Sequence, residues 1–203
     1  MRLGVLVSGR GSNLGAILGA GIPVALVVSN RAGVRAIEVA TSHDVPTIVV
    51  RRADFADADA RDAAIGVALT EAGVELAVLA GYDQLLRAGY FAAFAGRTVN
   101  IHPSLLPAHG GPGMVGPAVH RSVLAAGDNV TGATVHEVTA ELDAGPILSQ
   151  AHVPVYPNDD AETLAARVLA VEHRLLVEWL RGVMGTSSVA GAGLVQRPDA
   201  PVG

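Results

Sequence analysis

The residues best suited to chemistry stand in Asn100-Ile101-His102-Pro103-Ser104-Leu105-Leu106-Pro107. Thr98 and Val99 lead into this stretch and Pro107 closes it, so it reads as a strand leaving the core and stopping in a turn. Side chains alternate along a strand, which puts Asn100 and His102 on the same side. Open α/β sheets hold their ligands at the carboxyl ends of such strands. Imidazole moves a proton near neutral pH, and a carboxamide donates a hydrogen bond to a developing oxyanion without changing charge. Together they suit a carbonyl group passing through a tetrahedral intermediate. A turn-satisfying amide beside a hydrogen-bonded core histidine would give the same pattern, so the surrounding elements have to weigh the two.

The chain that positions them alternates strand and helix. A strand over 3–8 runs into Gly9-Arg10-Gly11-Ser12-Asn13, followed by a short helix over 14–20. A glycine turn between strand and helix gathers backbone N–H groups and the positive helix end at one point, which suits an anion. The dinucleotide fingerprint fails there, because Leu14 replaces its third glycine and the strand over 24–29 leads to Asn30-Arg31 without an acid for a ribose. One phosphate group fits better than a dinucleotide. Further on come a helix over 34–42, a strand over 47–50, a helix over 57–71, a strand over 75–80 and a helix ending near residue 94. Such βαβ alternation predicts a parallel sheet of Rossmann type. Arg51 and Arg52 open a polar loop and read as solvated surface.

Residues 108–117 carry four glycines and two prolines, a composition that stops both helix and strand, and read as a functional or mobile loop. A helix over 117–127, a strand over 130–138 able to pair antiparallel, and a strand over 147–155 complete the sheet. Between these strands, Glu141 and Asp143 sit in a turn closed by Gly145-Pro146. The final helix, over 161–181 behind Asn158-Asp159-Asp160, carries Glu172 and His173, which its amphipathic pattern makes an exposed pair. The expected organisation is one catalytic domain over 1–184, with a phosphate-binding half to residue 98 and a catalytic half from 99, and a frayed low-complexity tail over 185–203.

Composition excludes several functions. The 203 residues are half apolar but only 3% aromatic, so Ala, Val and Leu must build the core. The net charge of −5 gives no reason to expect a nucleic-acid partner. Cysteine is absent, which removes disulfides, thiol nucleophiles and thiolate metal sites. Lysine is absent too, all 14 basic residues being arginine, which removes Schiff-base chemistry and the P-loop lysine. No secretory or membrane-spanning segment is recognisable, so the reading is a soluble cytoplasmic protein with no membrane partner, as monomer or homodimer.

The motifs Ser8-Gly9-Arg10-Gly11-Ser12-Asn13-Leu14, Leu79-Ala80-Gly81-Tyr82, the Asn100 to Pro107 block, Thr131 to His136, Glu141 to Pro146 and Glu172-His173 stand in order across residues 1–182. In them the chain resembles the formyltransferases that use 10-formyltetrahydrofolate, and within these the phosphoribosylglycinamide formyltransferase family of purine biosynthesis. The resemblance implies a catalytic trio of Asn100, His102 and Asp143. Asp143 would raise the pKa of His102 and keep it cationic. Gly11, Ser12, Asn13 and Leu14 would hold the ribose phosphate, and Glu172 would touch the glycinamide. Arg61, the segment Asp83, Gln84, Leu85 and Leu86, and the loop Thr139, Ala140, Glu141, Leu142 and Asp143 would face the folate, with Asn100 beside it. No metal is implied. Asp83-Gln84 departs from the basic and apolar residues often found there, and the 108–117 loop differs from the commoner, shorter form. Those departures leave room for another amine acceptor, such as an amino sugar, or for a non-catalytic phosphate- or folate-binding module.

Overall fold

The computed structural model describes residues 1–185; the expected tail lies almost wholly outside the described residues. Seven strands form one sheet in the order β3-β2-β1-β4-β5-β6-β7. The first five, β1 (Leu3–Val7), β2 (Val24–Ser29), β3 (Thr47–Val49), β4 (Leu76–Leu79) and β5 (Arg97–His102), are parallel. The last two, β6 (Val130–Glu137) and β7 (Ile147–Pro154), are antiparallel, as the sequence pattern suggests. β1 and β4 read as continuous apolar runs, and every residue in both is buried, as strands covered on both faces require.

One face is covered by α1 (Ser12–Gly19), α2 (Arg35–Thr41) and α6 (Ala161–Met184), whose Leu14, Ile17, Ala36, Leu176 and Leu180 pack on Val5, Val78 and Val99. The opposite face is covered by α3 (Ala58–Glu71) and α4 (Ala88–Ala93), which bring Ile65, Leu69, Tyr90 and Phe94 onto Leu6 and Val28. A smaller core joins α5 (Pro117–Ala126) to α6 and β7 through Val123, Val153, Leu164 and Val168.

Element ends follow local chemistry. α1 starts two residues before the expected Leu14 because Gly11 caps it in a left-handed conformation (φ 71°). A side chain there would also strike Ala36, whose Cα lies 2.6 Å from where a Cβ would sit. α3 is capped by Asp57, which accepts from the Ala60 N–H, and α6 by a reciprocal Asp160–Thr163 box. α6 runs one turn past the expected Arg181, until Gly185 turns left-handed. Arg51 and Arg52 are exposed, and Arg51 pairs with Asp54.

After β1 the chain winds outward through β2 to β3, then crosses back to β4 beside β1. This reversal is a topological switch point, where loops diverge and leave a crevice. The adjoining antiparallel strands demand close packing at Gly132, where an added Cβ would fall on the Ala151 carbonyl oxygen and on Leu105. Gly132→Ala is therefore expected to fold but to lose about 2–3 kcal/mol of stability in chemical denaturation. A loss within experimental error would mean that β6 and β7 can part at no cost.

Candidate active site

A cavity of about 740 Å³ opens at the switch point. Its walls come from the ends of three parallel strands: residues 8–13 after β1, 79–86 around the end of β4, and 100–103 of β5 and its exit. Parts of the 108–117 loop, the 138–143 loop and α6 close it.

Asn100 and His102 both line this cavity, as strand alternation requires. The β5–β6 register places His136 opposite Asn100 and Thr134 opposite His102, and Asp143 enters from the turn before β7. The Asp143 side chain is 8% exposed and adopts a left-handed backbone (φ 54°). Its Oδ2 accepts from the Gly111 N–H at 2.9 Å and lies 3.8 Å from His102 Nδ1; its Oδ1 lies 3.6 Å from His136 Nε2. The two histidine distances are too long for hydrogen bonds but short enough for ion pairing with a charged ring.

Carbonyl groups decide where the protons sit, because they can only accept. His102 Nε2 is 2.9 Å from the His109 carbonyl oxygen, so Nε2 carries a proton and Nδ1 faces Asp143. Burial lowers the pKa of His136, with Asp143 only partly offsetting it, so this ring carries one proton. His136 Nδ1 donates that proton to the Glu137 carbonyl (3.0 Å), and Nε2 accepts from Asn100 Nδ2 (3.0 Å). The Asn100 amide is thus oriented, with its second Nδ2 hydrogen free of this contact. His120, on α5, also lines the cavity; burial lowers its pKa, and its Nδ1 is buried without a partner.

Gly11, Ser12 and Asn13 line the cavity at the start of α1. Leu14 does not: its side chain is wholly buried in the core, and only its backbone N–H belongs to the unpaired first turn. Glu172 overturns the exposed-pair reading of α6. It is 8% exposed, lines the cavity, and its pKa is pushed up to about 7 by burial, which Asn13 and Arg10 partly offset. His173 is half-buried.

Asp83, Gln84, Leu85 and Leu86 line the wall, as do Thr139, Glu141, Leu142 and Asp143, whereas the exposed Ala140 does not. Arg61 is the clearest departure from the sequence reading. It is 1% exposed and forms no part of the wall. Its guanidinium pairs with the wholly buried Asp62 and donates to Gln84 Oε1 (3.1 Å) and the Leu85 carbonyl (3.3 Å). Asp62 in turn accepts from the Arg87 N–H. Arg61 thus holds the 84–87 segment from behind. Arg31 and Asp83 form an ion pair at the rim, at 2.5 Å.

Sequence reasoning gave no role to His136, His120, Arg31 or Tyr82, which all line the cavity. His136 was legible as the end of the Thr131 to His136 motif on an alternating strand, without a role of its own; its meeting with Asn100 needs the register. Among the described residues no group of three or more His, Cys, Asp or Glu is arranged to hold a metal ion, and no helix is long and apolar enough to cross a membrane.

The crevice at the switch point of the parallel sheet holds an amide, an imidazole and a carboxylate beside the start of a helix, groups whose chemistry can activate a carbonyl by hydrogen bonds and move a proton. The formyl transferase profile matches residues 1–180. The chain belongs to that family. It is 46% identical over 180 residues to a phosphoribosylglycinamide formyltransferase of Mycobacterium tuberculosis, covering 87% of this chain and 81% of that one. It is 41% identical over 180 residues to the trifunctional purine biosynthetic protein adenosine-3 of Drosophila melanogaster, covering 85% of this chain; it spans only 13% of that much longer relative. The crystal structure of glycinamide ribonucleotide transformylase 1 from Symbiobacterium toebii superposes with a TM-score of 0.84 at 42% identity, covering 94% of this chain and 91% of that one.

The buried Glu172 gives a stability test with a fixed sign. A carboxyl raised to about 7 in the folded protein keeps a proton that the unfolded chain releases near about 4.3. Its contribution is complete below that lower value and is lost as pH rises through about 7. Glu172→Gln keeps the size without the charge. It should match the parent near about pH 4 and exceed it by up to roughly 3 kcal/mol near about pH 8. Denaturation of both proteins at the two pH values checks this, and a pH-independent difference would rule out a carboxyl ionising inside the fold.

Proposed function

We propose that this chain transfers the formyl group of 10-formyltetrahydrofolate to the amine of phosphoribosylglycinamide, in the cytoplasm and as a step of purine synthesis. The observation that carries the reading is the convergence of Asn100, His102 and Asp143 in one cavity with the start of α1. The relatives' names supply the acceptor and the formyl group transferred, the resemblance of the motifs supplies the folate donor, and the cavity, at about 740 Å³, has room for both molecules.

The N–H groups at the start of α1, with Ser12 and Asn13, suit the acceptor's phosphate. Glu172, beside Asn13 and Arg10, is close enough to meet the polar body of the same molecule. The 83–86 and 139–143 segments form the donor wall, where residues 84 and 85 are braced by Arg61 rather than by solvent-facing side chains. In the reaction the acceptor amine attacks the formyl carbon, forming the new C–N bond. Asn100, through its second amide hydrogen, and His102, through Nδ1–H, stabilise the oxyanion. Asp143 is the counter-ion of the charged His102 and the acceptor through which the amine proton travels, directly or by one water, to the departing folate nitrogen. The old C–N bond breaks as that nitrogen is protonated. Atoms and charges then balance without a metal or a covalent enzyme intermediate.

The decisive measurement is optical turnover of 10-formyldideazafolate with and without phosphoribosylglycinamide, for the parent and Asp143→Asn. We expect turnover that requires the acceptor and falls on the order of a hundredfold or more in the variant. Donor consumption without acceptor would instead indicate a hydrolase. Folate binding without turnover would redirect the search to amino-sugar acceptors, and absent folate binding would overturn the reading.

A further inference from the structure

We propose that His109 is a positioning residue for His102, clamped to α5 by Asp128 and Ser122. The proposal rests on the reading of His102 as the catalytic imidazole. Between β5 and α5 the backbone forms turns but no helix or strand, so no regular ladder fixes its path. His109 nevertheless adopts a left-handed backbone (φ 54°), a conformation that costs a non-glycine residue on the order of 1 kcal/mol. Something must hold it there.

The ring does so. His109 Nε2 lies 2.6 Å from Asp128 Oδ2, and Nδ1 lies 2.8 Å from Ser122 Oγ. With Nε2–H donating to the carboxylate, Nδ1 accepts from the Ser122 hydroxyl in the neutral ring and donates to it in the charged one. Both partners belong to rigid structure. Ser122 is in α5, beside the buried Val123, and Asp128 follows the helix-ending Gly127, its own N–H directed at the Val123 carbonyl. The imidazole of His109 is largely enclosed, at 13% exposure.

The consequence appears on the opposite side of the same residue. With the ring bolted to α5, the His109 carbonyl is turned toward His102 and accepts from Nε2 at 2.9 Å. The two neutral tautomers of a free imidazole are close in energy, and the ring can also rotate to exchange its two nitrogens. An acceptor-only group at Nε2 removes both freedoms and leaves Nδ1 as the nitrogen that faces Asp143 and gains or loses a proton. Two residues further on, the Gly111 N–H orients Asp143 itself. One short segment therefore aligns both partners, and its anchor is a side chain outside the wall of the cavity.

The test combines kinetics with long-range ¹H–¹⁵N correlation spectra of the full-length protein, in which His102 signals are identified by their loss in His102→Gln. The parent should show neutral His102 protonated at Nε2 alone. Asp128→Ala should give mixed tautomers and a kcat lower by about ten- to a hundredfold, with KM for both substrates within about twofold. Asp128→Asn, whose amide oxygen still accepts from Nε2–H, should recover most of the loss, which a merely structural defect would not. His109→Asn tolerates the left-handed backbone but is too short to reach Asp128, so it carries the same test should Asp128→Ala not fold. Parent-like spectra and kcat in whichever clamp variant folds would overturn the positioning role while leaving His102 catalytic. Full turnover by His102→Gln would overturn the site reading and this inference with it.

Discussion

The antiparallel seam between β5 and β6 is the constraint on which the rest of the site depends. It alone in this sheet joins a parallel strand to an antiparallel one, and its register pairs Asn100 with His136 and His102 with Thr134. A slip of one residue would turn these polar groups into the core occupied by Val99, Ile101 and Val135. Backbone carbonyls then complete what the register begins. The Glu137 oxygen fixes the proton of His136, which fixes the Asn100 amide, and the His109 oxygen fixes Nε2 of His102. Side-chain chemistry is thus set by groups that carry no sequence identity.

Beyond the seam, ionisable groups in and behind the site sit where solvent would stabilise their charges better. Glu172 and the Arg61–Asp62 pair are nearly or wholly buried. Replacing a buried pair by apolar residues often leaves stability unchanged, so the pair is poorly explained as a source of stability. Its hydrogen bonds explain it better. Arg61 and Asp62 satisfy Gln84 Oε1, the Leu85 carbonyl and the Arg87 N–H, backbone and side-chain groups that an irregular segment cannot satisfy itself. The segment gains a fixed shape without a helix, which here begins only at Ala88.

Much of this was legible in the chain. Apolar runs and alternation located all seven strands, and Gly11, Pro117, Gly127 and Asp160 marked helix ends within a turn. Asn100 and His102 were legible because both lie on one strand and obey one periodicity. Asp143 was not tied to them by spacing; its approach depends on a left-handed turn between β6 and β7. Glu172 was misjudged from its pattern because α6 buries part of its polar face against the cavity rather than water. Arg61, put beside the folate only by the resemblance, turns its guanidinium inward to Asp62, Gln84 and the Leu85 carbonyl. Leu14 shows the converse: its side chain serves the core, and only its backbone N–H, in the unpaired first turn of α1, is left for a binding role. Hydrophobic patterning reports which side is buried, not what it is buried against.

The departure at Asp83-Gln84 follows from the same distinction. An acid in the wall of a cavity would repel the anionic ligands proposed for it if its charge stood alone. Here burial alone would raise the Asp83 pKa, but hydrogen bonds from Asn30 and Gln84 and the charge of Arg31 outweigh it and keep the carboxyl below its ordinary range. The Asp83 N–H also donates to Ser8 Oγ, while Arg31 donates to the Ser8 carbonyl. Asp83 therefore acts as a strut linking the ends of β1, β2 and β4, and its charge is spent on protein groups before a ligand arrives. In a chain without lysine, that strut uses a guanidinium, whose several fixed donors engage Asp83 and the Ser8 carbonyl together, as a single ammonium on a flexible stem would do less well.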